Sequence, residues 1–286
     1  TLLNAATDWA VGLLSGTETL VIATGSEVDY ATDSATWARN TTDIKYVVFL
    51  NDLLWGIDNT GQLYSTDDLA TAWTTEGKLQ LPAGYIKKLL VARGPDREYK
   101  LYASTTVGFY VYDMELRRFQ PTDFSDLPYH PQGGQGATLH RGWLEYPAGN
   151  AVYEFQAGAD ETVVNLIGPD LDHGLPSDRR GVIVQLAKSH QWLLAALDAS
   201  LGTGVSNVGT RSSAGFGSSR RSTFGSQTGY SLVLGRDRRG WQVLWQSGAS
   251  SRPINAILVS NAYSQYRLWI AADQRVSWLK LPVEVI

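Results

Sequence analysis

The side chains that could do acid–base chemistry are scattered along this 286-residue chain. Glu145 and Glu154 flank aromatic residues in the segment WLEYPAGNAVYEF, and a pair of carboxyl groups is what glycoside hydrolysis requires. The distance between two such groups decides that chemistry, and a sequence does not contain it. Because most of the other acidic residues occupy turn positions, we expect structural carboxylates here, with glycoside hydrolysis as the alternative.

Histidine and cysteine usage argues against the common catalytic and metal centres. The four histidines lack the spacing of a metal-binding motif: His130, His140, His173 and His190. His140 lies in the strand-like segment GATLHRGW, and we expect it to be packed or hydrogen-bonded. The absence of cysteine excludes disulfides, thiolate metal sites and a cysteine nucleophile. No nucleophile-elbow sequence supports a serine triad, so we predict no catalytic residues and no cofactor.

One loop contains carboxylates at a spacing that could wrap a hard cation. The segment GPDLDHGLPSD (168–178) contains Asp170, Asp172 and Asp178. Alternating carboxylates followed by glycine can bind Ca²⁺, but the third ligand position and the distal glutamate of an EF-hand are missing. We therefore interpret the segment as an ordinary connection, with calcium binding by these three residues as the alternative.

A short phrase that recurs along the chain indicates the framework that must position these residues. YATDSATW (30–37) and YSTDDLATAW (64–73) share an aromatic residue, an aspartate and a second aromatic residue, and two further copies follow. The shared aspartates are Asp33, Asp67, Asp113 and Asp237, and the aromatic residues that follow them are Trp37, Trp73, Phe119 and Trp241. Once residues 200–229 are set aside, the repeat is roughly 34 to 49 residues, as in four-stranded propeller blades.

Each repeat contains short runs rich in valine, isoleucine, tyrosine and tryptophan, and these runs are typical of strands. Turn sequences such as ND, DNTG and DRRG separate the runs. We predict an all-β fold, a single β-propeller domain over residues 1–286 with about six four-stranded blades. The sixth repeat supplies three strands, so we expect TLLN (1–4) or the terminal VEVI (283–286) to complete it, because closure removes exposed sheet edges.

The repeated aspartate has a structural explanation in this fold. At the turn between the third and fourth strands, a short carboxylate can accept hydrogen bonds from backbone N–H groups. The aromatic residue that follows should begin the fourth strand and wedge between neighbouring sheets. We predict structural turn aspartates and blade aromatics, rather than a shared active site.

These phrases resemble degenerate Asp-box, or BNR-type, repeats, whose usual form is Ser-x-Asp-x-Gly-x-Thr-Trp. The second phrase keeps Ser65, Asp67, Thr71 and Trp73, but it is one residue longer and lacks the glycine. Proteins with such repeats include sialidases, sortilin-like receptors, photosystem assembly factors and propeller segments of phage tail proteins. The resemblance implies the propeller fold, and it leaves the function open.

Sialidase chemistry, as the resemblance implies it, needs three arginines that converge on a carboxylate. The arginines here occur as adjacent pairs in turn-like segments: Arg117/Arg118, Arg179/Arg180, Arg220/Arg221 and Arg238/Arg239. Neighbouring residues of a strand point to opposite faces, so a pair does not readily supply two converging side chains. We therefore do not expect this activity.

A Gly/Ser-rich insertion at 200–229 interrupts the fifth repeat. It contains basic and aromatic residues that could contact another subunit, and the alternative is a hairpin lying on its own blade. The interface candidates are Arg211, Phe216, Arg220, Arg221 and Phe224.

These features favour a non-enzymatic binding propeller in a larger assembly, resembling phage tail (virion) or adhesion proteins, with other subunits or a glycan or cell-surface receptor as partners. Trp143 and Tyr129 are candidates for that surface. The alternative is a carbohydrate-active enzyme or lectin with a ligand at the channel mouth, where we expect Tyr85, His140, Arg141 and Asp172. The net charge of −4 and the short apolar runs argue against nucleic-acid binding and membrane insertion. We predict a location in a virion or outside the cell.

Overall fold

A computed structural model describes residues 6–33, 36–71, 73–156, 163–169, 181–199, 230–237, 240–248, 252–262 and 265–281. The described residues form 23 β-strands and no α-helix. The strands assemble into six sheets in chain order, five with four strands and one with three among the described residues. The predicted all-β architecture of about six successive four-stranded units is confirmed.

The first three sheets are simple antiparallel meanders. The first contains β1 (Asp8–Leu14), β2 (Thr17–Ala23), β3 (Val28–Ala31) and β4 (Ala38–Asn40). The second contains β5 (Tyr46–Leu50), β6 (Leu53–Ile57), β7 (Gln62–Thr66) and β8 (Thr74–Lys78). The third contains β9 (Ile86–Arg93), β10 (Tyr99–Thr105), β11 (Gly108–Asp113) and β12 (Arg118–Pro121).

The remaining sheets continue the same order. The fourth contains β13 (Thr138–His140), β14 (Trp143–Ala148), β15 (Ala151–Gln156) and β16 (Val163–Gly168). The fifth contains β17 (Val182–Lys188), β18 (Leu193–Asp198), β19 (Leu232–Asp237) and β20 (Gly240–Gln246). The sixth contains β21 (Ile254–Ala262), β22 (Gln265–Ala272) and β23 (Arg275–Lys280). The segments 1–4 and 283–286, predicted to complete the sixth sheet, and the insertion 200–229 lie outside the described residues.

Two-residue turns join the first two strands of the first and second sheets. Ser15 and Gly16 connect β1 to β2 with φ of 48° and 79°, and Asn51 and Asp52 connect β5 to β6 with φ of 54° and 58°. Such turns match the twist of the paired strands, and Asn, Asp and Gly tolerate positive φ best. The register follows directly, since Leu14 faces Thr17 and Leu50 faces Leu53.

The chain divides into two compact units, Thr1–Leu144 with Phe155–Val164, and Glu145–Glu154 with Asn165–Ile286. In the first unit, one apolar cluster joins the first and second sheets, and another joins the second and third. In the second unit, clusters join β15 and β16 to the fifth sheet, and the fifth sheet to the sixth. Apolar burial between successive sheets therefore holds each unit together.

Side chains on two of the first strands protect the open edge of the next sheet. The Val47 N–H of β5 donates to Asp8 Oδ2 at 3.2 Å, and the Ile257 N–H of β21 donates to Gln185 Oε1 at 2.9 Å. Each first strand pairs on only one side within its sheet, so its outward N–H groups need other acceptors. A polar residue on the preceding first strand supplies that acceptor in both units.

Candidate binding surface

The repeated aspartates lie at the turns between third and fourth strands. Asp33 Oδ1 accepts the Thr36 N–H at 2.6 Å, and Asp113 Oδ1 accepts the N–H groups of Glu115 and Leu116 at 3.0 and 2.9 Å. Asp237, the last residue of β19, lies 3.4 Å from the Gln242 amide nitrogen. These carboxylates are dispersed over separate sheets, and they do not form one site.

In the second repeat a neighbour of the predicted aspartate does the capping. Asp67 follows β7, but it is Asp68 Oδ1 that accepts the Ala70 N–H, at 2.9 Å. The backbone carbonyl of Asp68 also accepts from the Thr66 and Thr71 hydroxyls. Between the aspartate and the tryptophan this phrase is two residues longer than the first copy, and the capping carboxylate lies one position later.

The repeated aromatic residues differ in burial. Trp73 is only 9% exposed and packs between the first two sheets, and Trp241 donates its indole N–H to the Ile167 carbonyl of β16 at 2.6 Å. Phe119 packs against Tyr112 in the cluster that joins the second and third sheets. These three aromatic side chains link each sheet to the one before it.

Trp37 corrects the prediction that all four aromatic residues wedge between sheets. Its side chain is 49% exposed. Trp37 lies immediately before β4 of the first sheet, and among the described residues of its unit no sheet precedes the first one to cover the indole. The same geometry leaves Trp9, Val11 and Leu13, which share one face of β1, about half exposed.

The two glutamates singled out for acid–base chemistry do come together, in a buried cluster. Glu145 on β14 is 1% exposed, and Glu154 on β15 forms an ion pair with Arg236 of β19 (2.6 Å). Burial, and next the charge of Glu154, raises the pKa of Glu145 to about 9, and Arg236 opposes that rise. At neutral pH Glu145 is therefore protonated beside the Glu154–Arg236 ion pair. Because Glu145 is enclosed between strands, a polysaccharide does not reach it, and the cluster has the character of a structural contact.

The residues predicted at the channel mouth are not brought together. Tyr85 lies immediately before β9, whereas His140 is the last residue of β13 and Arg141 follows it in a turn. The strands of each sheet follow one another in the same order, so the start and the end of a first strand lie at opposite ends of a blade. His140 is buried, and Asp172 lies outside the described residues. Trp143 begins β14 and is half-buried.

The other candidates divide between described and undescribed residues. Arg117 spans from the third sheet to the second and pairs with Glu76 at 2.6 Å. The calcium candidates Asp170, Asp172 and Asp178 lie outside the described residues, as do the interface candidates Arg211, Phe216, Arg220, Arg221 and Phe224. Over the ranges that the structure describes, no group of three acidic or histidine side chains could hold a metal ion. None of the same residues forms a helix long and apolar enough to cross a membrane.

Tyr85 instead meets Tyr129, the other exposed aromatic candidate. Their rings lie 5.1 Å apart at 34°, and Tyr129 is 56% exposed. The connection between β12 and β13 positions Tyr129 because its backbone is bonded to the turn after β10. The N–H groups of Leu127 and His130 donate to the carbonyls of Val107 and Thr106, and Thr106 N–H donates to the Tyr85 carbonyl at 2.8 Å. The pair is thus a partly exposed aromatic surface on a hydrogen-bonded base, since Tyr85 is half-buried.

Three lysines lie at the same end of the first unit, where first strands begin. Lys45 precedes β5, and Lys87 and Lys88 are the second and third residues of β9. Lys88 Nζ pairs with Asp8 Oδ1 at 3.3 Å, so this ion pair connects the first and third sheets. Lys45 donates to the neutral Asn59 amide at 3.1 Å and lies 5.4 Å from the centre of the Tyr46 ring.

The charges at this end perturb one another. Burial, and next the repulsion from Lys45, lowers the pKa of Lys87. Burial also raises the pKa of Asp8, although Lys88 opposes that rise, and burial together with Asp8 raises the pKa of the Tyr46 hydroxyl. We call Lys45, Tyr46, Tyr85, Lys87, Lys88 and Tyr129 the lysine–tyrosine rim.

Sequence reasoning singled out Tyr85 and Tyr129 as candidates for two different surfaces, and it missed the lysines. A signal was present, because the second and third repeats start their first strands with Ile44-Lys45-Tyr46 and Ile86-Lys87-Lys88. In both segments the isoleucine is buried. Val47 and Leu89, which lie two positions after Lys45 and Lys87, are buried as well. Equivalent positions of successive blades lie side by side, so this repetition predicts adjacent lysines.

Comparison with solved structures shows the fold. The chain is similar to the YCF48 structure bound to D1 peptide, with 14% identity and a TM-score of 0.55 over 99% of this chain and 82% of that one. It is similar to BBS1N in its complex with ARL6DN, with 13% identity and a TM-score of 0.58 over 99% and 80%. It also matches a chain of the S. cerevisiae complex of Dbp5 with Nup159, Gle1, IP6 and ADP, with 14% identity and a TM-score of 0.55 over 98% and 75%.

At these identities the similarity concerns architecture alone, and together with the order of the six sheets it indicates a six-bladed β-propeller. No protein-family model matches the chain, and no characterised protein matches it in sequence. The Asp-box assignment of the repeats therefore stays a prediction.

Proposed function

We propose that this chain is a non-enzymatic β-propeller that serves as a binding platform for other proteins, and that the lysine–tyrosine rim is its binding surface. The observation that carries the proposal is the Tyr85–Tyr129 pair on its hydrogen-bonded base, in which Tyr129 is exposed and Tyr85 is half-buried. Tyrosine supplies a large contact area at a low cost in conformational entropy, and it is enriched at protein interfaces.

The candidate catalytic groups support a binding role by their placement. Glu145 and Glu154 lie within sheets. His140 is buried at the end of a first strand, whereas Tyr85 lies where a first strand begins. A catalytic group must reach the atom on which it acts. The rim, by contrast, combines aromatic and positively charged side chains at the surface.

The similar structures agree with a protein partner by analogy. YCF48 was solved with a D1 peptide, BBS1N with ARL6DN, and the third complex contains Nup159 and Gle1 with Dbp5. A shared fold is a weak argument for a shared function, so the argument depends on the rim itself.

The proposal is tested by selecting a displayed library of random peptides against the purified protein. We expect enriched peptides that bind the parent protein and lose at least tenfold in affinity for Tyr129→Ala. A glycan array and a panel of chromogenic glycosides are screened in parallel. Turnover of a glycoside, or glycan binding with no enriched peptide, would overturn the proposal in favour of a hydrolase or a lectin.

A finer version places the protein as a subunit of a phage tail or adhesion assembly, in a virion or outside the cell. It rests on the repeat resemblance and on the insertion 200–229, since the similar structures are propellers of varied origin. Deletion of 200–229 should leave the melting temperature unchanged and abolish assembly, as measured by light scattering. An unchanged oligomeric state after the deletion would refute this version.

A further inference from the structure

The charges of the lysine–tyrosine rim are incompletely balanced within the described residues. Asp8 neutralises Lys88 through the 3.3 Å ion pair. Lys45 is bonded to a neutral amide, and Lys87 has no ion pair among the residues that the structure describes. Two positive charges therefore stay close together at the surface, and their repulsion contributes to the lowered pKa of Lys87.

This local charge is opposite to that of the whole chain. The sequence has a formal net charge of −4, so two uncompensated lysines at one end of one unit differ from the average surface. An anionic group bound between Lys45 and Lys87 would relieve their mutual repulsion, just as Asp8 neutralises the charge of Lys88.

The lysines lie on successive blades, and the aromatic pair adjoins them. Lys45 and Tyr46 belong to the second sheet, Tyr85 leads into the third sheet, and Tyr129 belongs to the connection that follows it. A ligand that contacts all of them must extend across neighbouring blades. An extended peptide does so, because it rises about 3.3 Å per residue and presents side chains at regular intervals.

Peptide carboxylates fit this surface better than phosphates. Recognition of phosphate and nucleic acid relies on several arginines or a dense basic surface, and the rim has no arginine and only two uncompensated lysines. From these observations, and on the basis of the proposed function, we infer that the lysine–tyrosine rim binds an extended acidic peptide segment of a partner protein. Its carboxylates contact Lys45 and Lys87, and an apolar or aromatic side chain covers Tyr85 and Tyr129.

The test measures fluorescence anisotropy with a labelled synthetic peptide that alternates glutamate and phenylalanine. A matched peptide has glutamine at every glutamate, and a single-stranded oligonucleotide of equal charge is the third probe. We expect the acidic peptide to bind, and added salt to weaken it. The matched glutamine peptide and the oligonucleotide should bind at least tenfold more weakly.

Substitutions distinguish binding at the rim from nonspecific attraction between the peptide and any lysine of the surface. Lys45→Gln/Lys87→Gln should weaken the acidic peptide at least tenfold, and Lys45→Arg/Lys87→Arg should retain most of the affinity. Lys78→Gln is the matched control, since Lys78 is exposed on the outermost strand of the second sheet, and it should leave the affinity within twofold. Thermal melting verifies that each variant is folded.

Two outcomes would overturn the inference. In one, the double glutamine variant binds the acidic peptide as tightly as the parent protein. In the other, the oligonucleotide binds more tightly than the peptide. If the random library instead enriches peptides without acidic residues, and these depend on Tyr129, the acidic-segment inference fails while the proposed function stands. If the library enriches nothing, both fail.

Discussion

The lysine–tyrosine rim of the first unit and the Glu145 cluster of the second unit both contain ionisable side chains, but they differ in burial and in net charge. Each brings ionisable side chains together from strands distant in sequence, since Asp8 and Lys88 are 80 residues apart and Glu154 and Arg236 are 82 apart. In the rim, the lysines are partly exposed and keep surplus positive charge. In the cluster, burial protonates Glu145 and leaves one ion pair. Burial, more than residue type, separates a surface that can bind from a contact that stabilises.

The largest effect should come from removing the cation of the buried cluster. Arg236→Met leaves Glu154 without its ion-pair partner and next to Glu145. We expect the free energy of unfolding to fall by about 2–3 kcal/mol, below the usual range for fully buried pairs because Arg236 is partly exposed. Urea denaturation measures this change, and Glu154→Gln/Arg236→Met should restore part of it. No change in stability would show that the cluster resembles an exposed surface pair.

The next effect concerns pH, because the pKa of Glu145 is raised from 4.5 to about 9 by folding. The folded state then binds one more proton at this group than the unfolded state between these values, so the contribution of Glu145 to stability is greatest at low pH and is lost as the pH rises towards 9. The slope is at most about 1.4 kcal/mol per pH unit. Glu145→Gln should flatten this slope in melting curves recorded from pH 5 to 9, with Glu115→Gln, at an exposed turn, as the control. A parallel slope in Glu145→Gln would contradict the protonated state of Glu145.

A smaller effect is expected at the rim from Asp8→Asn. The asparagine oxygen can still accept the Val47 N–H, while the ion pair with Lys88 is lost, and partly exposed pairs contribute about 1 kcal/mol or less. The substitution also leaves a third lysine uncompensated. We therefore expect slightly lower stability by denaturation and about two- to threefold tighter binding of the acidic peptide by anisotropy. Weaker binding would count against the electrostatic role of the rim.

The smallest effect on stability should be that of Tyr129→Ala. The side chain is more than half exposed, and its removal should change the free energy of unfolding by no more than about 0.5 kcal/mol. Peptide binding should nevertheless fall at least tenfold. A variant that loses stability and binding together would show that Tyr129 supports the connection between β12 and β13 rather than a ligand.

Much of the fold could be predicted from local patterns. The turn at Asn51–Asp52, the capping carboxylates of Asp33 and Asp113, and the strand-like runs depend on residues close in sequence. Local prediction failed where a sheet neighbour decides the outcome. Trp37 and Trp73 occupy the same place in the repeat, yet only Trp73 has a preceding sheet within its unit to pack against. The capping role of Asp68 was missed because two extra residues in a turn change which carboxylate accepts the backbone N–H.

The succession of antiparallel strands and their repetition in about six sheets follow from local sequence, since strand propensity and hairpin chemistry act over a few residues. Packing of the sheets is what protonates Glu145, neutralises Lys88 but not Lys87, and brings Tyr85 against Tyr129. Each of these depends on burial or on the charge of a residue brought from another part of the chain. Such environments arise only once the sheets have packed against one another.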